Sequence, residues 1–197
     1  MIGARIKTNL LTAFWYTVVT TILLGLAYPL VVTGLAQAFF TDKADGQLIS
    51  RSGAVIGSRL LAQPFTEPEY FHPRPSAAGA NGYDAANSGA TNLGPTNQKL
   101  VERVAADVAR LQSEHPGQQV PIDLVTTSAS GLDPDITPAA AEFQIARVAR
   151  TRAIPEPELQ KLVLHHIQPR QFGFLGEPRV NVLELDLALD EEFPIRR

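Results

Sequence analysis

The 197-residue sequence contains no cysteine, and no acidic residue occurs before Asp42. The absence of cysteine excludes a disulfide-stabilised fold, a thiolate metal site and a cysteine nucleophile. The net charge is −3, whereas proteins that bind nucleic-acid phosphates carry an excess of basic residues. Nucleic acid is therefore not expected as a partner. The hydrophobic fraction of 45% is too high for a largely disordered chain.

One long segment near the N-terminus has no charged side chains at all. Arg5 and Lys7 are the only charged residues before Asp42, and residues 11–32 read LTAFWYTVVTTILLGLAYPLVV. About 20 apolar residues suffice for a helix to cross the hydrocarbon core of a bilayer. A single span must be helical, because unpaired backbone groups are costly in lipid. We predict a transmembrane helix over residues 11–36, kinked in its last turn by Pro29.

A cleaved secretory signal is the alternative, because Ala36-Gln37-Ala38 matches a cleavage-site pattern. The apolar stretch is longer than the h-region of a signal peptide, which favours a retained anchor. The basic residues and the terminal amine before the span slightly outweigh the basic residues that follow it. We therefore expect a short cytoplasmic head at residues 1–10 and an extracytoplasmic soluble domain at residues 41–197, with the bilayer as a partner.

The segment after the anchor begins with strand and loop patterns. Two β-prone runs flank Arg51-Ser52-Gly53, which predicts a hairpin with a three-residue loop. Residues 63–96 are rich in Pro, Gly, Asn and Ser and show no periodicity. They also contain Tyr70, Phe71 and Tyr83, and disordered linkers are poor in aromatic residues. We therefore expect a long loop that docks on its own domain.

Apolar residues at helical spacing follow the loop. They predict one helix over residues 97–114 with Thr96 or Asn97 as its N-cap. A second helix is expected to begin at Thr137, because Pro138 suits the first helical position. A third, shorter helix is predicted from about residue 157 to residue 166.

Near the C-terminus leucines alternate with Glu, Asp and Ala over residues 183–190. A period of two predicts a half-buried strand. The predicted fold class is α+β, with one N-terminal transmembrane helix followed by a single extracytoplasmic domain containing a small sheet and about three helices.

No catalytic or metal-binding motif is complete. The histidines form no HExxH pair, and Asp133-Pro134-Asp135 lacks the glycine and further ligands of a calcium loop. A GxSxG elbow needs a glycine two positions before the serine, where Ser128 has Thr126. No phosphate-binding loop occurs. We expect no catalytic residue, metal site or cofactor of its own. A membrane-tethered envelope hydrolase using Ser128 or Ser130 remains one alternative, and an extracytoplasmic binding module another.

Four sequence blocks occur together, in order, after the predicted span. They read GSRLLAQPFTEPEYFHPRPSA from Gly57, SGATNLGPTN from Ser88, PIDLVTTSASGLDPDITPAAAEFQIARVARTR from Pro121 and LGEPRVNVLELDLALD from Leu175. In these blocks the sequence resembles the KdpC family, the C subunits of bacterial and archaeal potassium-transporting P-type ATPases. The third block is the most specific, and the resemblance covers essentially the whole chain.

The resemblance implies an accessory subunit of a high-affinity, ATP-driven potassium uptake complex in the cell (inner) membrane. Its implied partners are a potassium-channel-like subunit, a P-type ATPase subunit that hydrolyses ATP, and a very small membrane peptide. The C subunit is implied to be needed for assembly. It is also implied to act as a catalytic chaperone that raises the affinity of the ATPase subunit for ATP.

Gln144 is the only candidate for nucleotide contact, because the family's glutamine in this stretch is likened to a transporter signature loop. The alternative is a helix residue that packs or contacts a partner subunit. ATP is cytoplasmic and the domain is expected on the other side of the membrane. We therefore expect ATP to act through the complex, by altered subunit conformations rather than by direct contact.

A partner interface is expected around the long loop, since loops on a rigid scaffold often carry recognition and aromatics beside arginine are typical interface anchors. The alternative is that these residues pin the loop onto its own domain. In the anchor, a small residue would let a partner helix approach closely. The predicted interface residues are Gly25, Tyr70, Phe71, Arg74, Asn92, Ser128, Ser130, Asp133 and Arg147.

Overall fold

The computed structural model describes residues 2–51 and 53–195, with the side chains of residues 2–4 left out. The chain forms two compact units, Met1–Leu48 and Ile49–Arg197. Each unit is described by itself below. Ser52, in the turn predicted between the first two strands, lies outside the described residues.

The first unit is built on one long helix made of α1 (Ile2–Thr20), a π-helical segment (Thr21–Ala27) and α2 (Tyr28–Phe39). Within Arg5–Phe39 the most apolar stretch of 18 residues has a mean hydropathy of 2.0, and none of that stretch is buried within the chain. By length and composition Arg5–Phe39 is a candidate membrane span, because 35 residues exceed the roughly 20 that a bilayer core requires. A short turn, α3 (Thr41–Ala44), follows.

Pro29 explains the π-helical segment that precedes it. Proline has no N–H, and its ring crowds the carbonyl group four residues earlier, which here belongs to Gly25. The helix responds with wider hydrogen bonding, in which the N–H of Tyr28 donates to the carbonyl of Leu23, five residues before it. The helix therefore continues through the proline to Phe39.

The expected hairpin and the docked loop come next along the chain, with all but the first hairpin residue in the second unit. Strands β1 (Leu48–Arg51) and β2 (Ala54–Ser58) pair with each other, and Arg51 belongs to the strand rather than to the turn. Residues 59–97, all of which the structure describes, form no helix or strand. Phe71 within this stretch is fully buried, so the prediction of a docked loop is confirmed.

Three of the predicted helices are confirmed with nearly the expected bounds. They are α4 (Gln98–Glu114), α5 (Pro138–Arg152) and α6 (Glu156–His165). Asn97 caps α4 by accepting from the N–H of Lys99, and Thr137 caps α5 by accepting from the N–H of Ala140. These local signals begin α4 and α5 at the positions that the sequence indicates.

The predicted C-terminal strand over residues 183–190 is wrong. A short strand, β5 (Arg179–Asn181), ends there and helix α7 (Val182–Glu192) begins. Leu, Glu and Ala are strong helix formers, and the Asn181 side chain caps the helix by accepting from the N–H of Glu184. The most deeply buried positions have the spacing of a helix face: they are Val182, Leu185, Asp186 and Leu189.

A small antiparallel sheet lies beside these helices. Strands β3 (Asp135–Ile136) and β4 (Ile167–Gln168) pair with the two edges of β5, in the order β3-β5-β4. Val180 at the centre faces Ile136 on one side and Ile167 on the other. The core joins this sheet to α5, α6 and α7 through buried aliphatic side chains. Helices and small sheets together confirm the predicted α+β class.

Candidate interaction site

Residues 67–76 of the long loop, called the docked segment here, are held by polar side chains from α5 and α7. Gln144 on α5 forms two hydrogen bonds with the backbone of His72. Its Oε1 accepts from the His72 N–H at 2.8 Å, and its Nε2 donates to the His72 carbonyl at 3.1 Å. Nε2 also donates to the carbonyl of Ala140 at 3.2 Å. Both polar atoms of Gln144, which is only 3% exposed, are therefore used inside the domain.

Arg147 lies one turn further along α5 and holds the preceding residues of the segment. Its Nη1 donates to the carbonyls of Pro68 and Tyr70 at 2.6 and 2.9 Å. Its Nη2 donates to Oε1 of Gln144 at 2.6 Å. Burial lowers the pKa of the guanidinium, but an arginine remains charged in proteins. The carbonyl oxygens around it therefore take the place of water.

Asp186 on α7 contacts the same segment. Its Oδ1 accepts from the N–H of Phe71 at 2.9 Å, and the Phe71 ring is fully buried in the core. Burial raises the pKa of the Asp186 carboxyl well above its ordinary value. In the part of the chain that the structure describes, Oδ2 has no hydrogen-bond partner. These features favour a neutral, protonated carboxyl group.

A cluster of charged and aromatic groups holds the start of the docked segment against α5 and α7. The Arg152 guanidinium donates to Oδ1 of Asp190 at 2.7 Å and to the carbonyl of Glu69 at 2.8 Å. It lies 4.8 Å from the centre of the Tyr70 ring, a cation–π contact. The Tyr70 hydroxyl donates to Oδ2 of Asp190 at 3.2 Å, and burial together with that carboxylate raises the pKa of Tyr70.

Arg74 connects the segment to the chain that precedes β3. Its Nη1 forms a salt bridge of 3.1 Å with Asp133, and its other nitrogens donate to Thr126 and to the carbonyl of Thr127 at 3.4 Å. The Tyr83 hydroxyl donates to the carbonyl of Arg74 at 2.8 Å. Burial raises the pKa of Tyr83 to about 12, so this phenol stays neutral and keeps its proton for that bond.

The Ser128-Ala129-Ser130-Gly131 turn packs on the same loop. Ser76 donates to the carbonyl of Gly131 at 2.6 Å, and Gly131 has a left-handed φ of +68°. An added Cβ there would lie 2.6 Å from the carbonyl oxygen of Gly89. Only glycine therefore fits this close approach.

The two serine hydroxyls in this turn serve its geometry. Ser130 Oγ accepts from the N–H of Leu132 at 3.1 Å, and Ser128 Oγ accepts weakly from the N–H of Asp133 at 3.4 Å. Their oxygens lie 3.3 Å apart. Among the described residues no histidine is hydrogen-bonded to the hydroxyl of Ser128 or Ser130.

The predicted interface residues thus separate into groups. Phe71 of the docked segment is buried in the core, and Arg147 and the nucleotide candidate Gln144 are buried on α5 beneath that segment; all three make their contacts within their own domain. A shallow surface groove brings together the more accessible residues Arg74, Ser128, Ser130 and Asp133.

The remaining predicted residues lie elsewhere. Tyr70 is half-buried beside Arg152. Asn92 is exposed on the loop with a left-handed φ of +52°. Gly25 lies in the π-helical segment of the first unit.

Sequence reasoning missed Arg152, Asp186 and Asp190 as anchors of the docked segment. A strand over residues 183–190 places both aspartates on its polar face. In helix α7 the two aspartates, four residues apart, also lie on one side, and that side faces the docked segment, where they contact Phe71 and Tyr70. Helix propensity in this leucine- and glutamate-rich stretch is the signal that would have found them.

A cavity of about 280 Å³ lies between the loop, α4 and α5. Its wall includes His72, Tyr83, Glu114 and His115, and the His115 ring packs 4.3 Å from that of Phe143. Burial and the nearby Arg147 lower the pKa of His72, so this imidazole is neutral near pH 7. Within residues 2–51 and 53–195, no group of three or more His, Asp or Glu side chains is placed to hold a metal ion.

The structure defines a class of protein: a chain with one candidate membrane helix among its described residues and an α+β domain whose polar side chains hold a long loop in place. Residues 10–191 match the family model for KdpC, described as K+-transporting ATPase, c chain. The chain therefore belongs to the KdpC family of potassium-transporting ATPase subunits. The resemblance stated from the four sequence blocks is confirmed.

Named relatives agree over nearly their full length. The chain is 66% identical over 189 residues to the potassium-transporting ATPase KdpC subunit of Koribacter versatilis (strain Ellin345), covering 96% of this chain and 97% of that protein. It is 58% identical over 177 residues to the protein of the same name from Rhodospirillum rubrum, covering 89% and 91% respectively. The corresponding protein of Acidobacterium capsulatum is 54% identical over 184 residues, covering 93% and 98%.

Proposed function

We propose that this chain is a membrane-anchored accessory subunit of an ATP-driven potassium uptake complex, needed for assembly and without a catalytic site of its own. The observation that carries the proposal is the family match over residues 10–191, which includes most of the candidate span and the whole docked loop. Its partners are a channel-like potassium subunit, the P-type ATPase subunit and a small membrane peptide.

The proposed arrangement is a cytoplasmic head at residues 1–10, a single transmembrane helix over residues 11–36 and an extracytoplasmic domain at residues 41–197. The positive-inside rule supports this orientation. Because the chain has no cysteine, single cysteines test it directly. In intact cells a membrane-impermeant maleimide should label Gln112→Cys on α4 and leave Gly3→Cys unlabelled. The reverse pattern would place the domain in the cytoplasm.

The groove lined by Arg74, Ser128, Ser130 and Asp133 is the part of the predicted interface that we assign to partner contact. Support comes from its open position and from the charge pair of Arg74 and Asp133, which offers both a donor and an acceptor to a partner. Phe71, Gln144 and Arg147 act indirectly, since they hold the loop that carries Arg74.

We infer that an effect on ATP affinity, if the complex shows one, reaches the ATPase subunit through altered subunit conformations. The amide of Gln144 supports this view, because its oxygen and nitrogen are occupied by His72, Arg147 and Ala140. A nucleotide would have to displace these bonds.

The test is gentle detergent purification of the tagged full-length chain from potassium-starved cells, with mass spectrometry of the proteins that accompany it. Recovery of a P-type ATPase and a channel-like subunit, with potassium-stimulated ATP hydrolysis, is the expected result. Recovery of the chain alone, under conditions that keep other membrane complexes intact, would contradict the proposal. A free-standing binding module would then be the better reading.

A further inference from the structure

The connection between β4 and β5 projects large apolar side chains into solvent. Residues 171–175 form its tip, called the aromatic tip here. Phe172 is 79% exposed, Phe174 is 70% exposed and Leu175 is 47% exposed. Scattered single apolar residues on a surface need no explanation, but a contiguous exposed group is characteristic of an interaction site.

The aromatic tip is a closed turn. Gln171 and Leu175 exchange two backbone hydrogen bonds, each of 2.9 Å. Between them Phe172 has a φ of +54° and Gly173 a φ of +82°. Two successive left-handed residues are the geometry of a tight hairpin turn, in which Asn-Gly or Asp-Gly is favoured. A phenylalanine is disfavoured at the first position both by its Cβ and by its exposure to water.

Charges beside the tip are neutralised in pairs. Arg170 pairs with Glu177 at 2.6 Å, and Arg179 pairs with Asp135 at 2.9 Å. The tip therefore presents an apolar surface without an excess of basic side chains that would attract anionic lipid headgroups. Insertion of these side chains into a bilayer would not require a strained turn. A protein pocket of defined shape requires them at fixed positions, which the strained turn provides. These points favour a protein partner.

The exposed area also argues against a second copy of this chain. Two phenylalanine rings present roughly 300 Å², so two tips packed together would bury roughly 600 Å². That area is well below the roughly 1,200 Å² of a stable interface. An area of this size suits an anchor that fills one pocket within a larger contact.

We propose that the aromatic tip inserts Phe172 and Phe174 into an uncharged, apolar pocket on another subunit of the same potassium-transporting complex. This inference rests on the proposed function, because it requires that the chain be part of such a complex. It assigns a contact to residues outside the groove of Arg74 and Asp133.

The experiment uses the full-length chain in its native complex and measures how much partner subunit co-purifies with each variant. Phe172→Asn combined with Phe174→Ser should reduce recovery of the partners at least about tenfold, a typical effect of removing an interface anchor. The domain should unfold at the same or a higher temperature, because asparagine suits the left-handed position. Ile122→Ser is the matched control, since Ile122 is 69% exposed elsewhere on the domain.

A second variant keeps an aromatic group at the tip. Photo-crosslinking through p-benzoylphenylalanine at position 172 should link the chain to another subunit, while the same group at position 122 should not. Crosslinks only to lipid or to a second copy would overturn the proposal, as would undiminished co-purification of the double variant. If the unaltered chain recovers no partner subunit, the proposed function itself fails, so the two failures are distinguishable.

Discussion

Replacing Gln144 by alanine tests whether this residue is a structural clamp for the docked segment. The change removes the partners of the His72 N–H and carbonyl group, which Gln144 holds at 2.8 and 3.1 Å. It also removes the acceptor of one Arg147 bond. An unsatisfied buried polar group costs roughly 1–3 kcal/mol. His72 is only half-buried and water reaches part of the site, so we expect the free energy of unfolding to fall by about 2–4 kcal/mol in total.

The assay is hydrogen–deuterium exchange with mass spectrometry on the full-length chain in detergent, combined with denaturant unfolding. Gln144→Ala should speed exchange in peptides covering residues 67–76 and leave α6 unchanged. Gln98→Ala is the control, because Gln98 only donates to the exposed Glu102 on α4, and its effect should stay within about 0.5 kcal/mol.

Two results would refute the reasoning about Gln144. One is a loss of less than about 0.5 kcal/mol with unchanged exchange in the docked segment. The other is a variant complex that binds ATP more weakly while the loop remains protected. The second result would indicate a direct nucleotide role for this side chain.

Three further predictions follow from the packing. The Asp186→Asn variant should be at least as stable as the unaltered chain at pH 7, and its free energy of unfolding should depend less on pH. The reason is that a carboxyl with a raised pKa adds stability that is present below its ordinary pKa and lost as the pH rises through the raised value. A steeper pH dependence in the variant would contradict this. Gly131→Ala should lower the free energy of unfolding by more than about 2 kcal/mol, since its Cβ would lie 2.6 Å from a backbone oxygen. Gly94→Ala is the control and should be nearly neutral, because an added Cβ there has no heavy atom within 4 Å. Gly25→Leu should reduce co-purification of partner subunits more than Gly34→Leu does, because small residues let membrane helices pack closely. Equal recovery of the partners with both variants would argue against a helix contact at Gly25.

Local signals in the sequence account for much of the fold. The caps at Asn97 and Thr137 and the apolar spacing after them fix where α4 and α5 begin, because capping involves residues only a few positions apart. The 34 uncharged residues from Thr8 to Thr41 similarly identify the candidate span, since lipid excludes charge along a whole helix.

The interaction site was much less accessible to sequence reasoning. Gln144 was selected from the family resemblance, but its partner His72 lies 72 residues earlier in the chain, and no local pattern reports such a pairing. Composition indicated that the aromatics of the loop dock, but it left open whether Phe71 faces its own core or a partner. The structure places that ring in the core.

In the C-terminal segment the sequence pattern is compatible with two structures, and the tertiary structure decides between them. Alternating leucines at 183, 185, 187 and 189 satisfy a strand pattern, while residues 182, 185, 186 and 189 satisfy a helix pattern. By itself the sequence determined that this segment is half-buried, that the N-terminal stretch is apolar enough to span a membrane and that three other helices form. Only the tertiary structure decided that Asp186 turns inward to accept from Phe71, because that choice depends on a loop brought from 115 residues away.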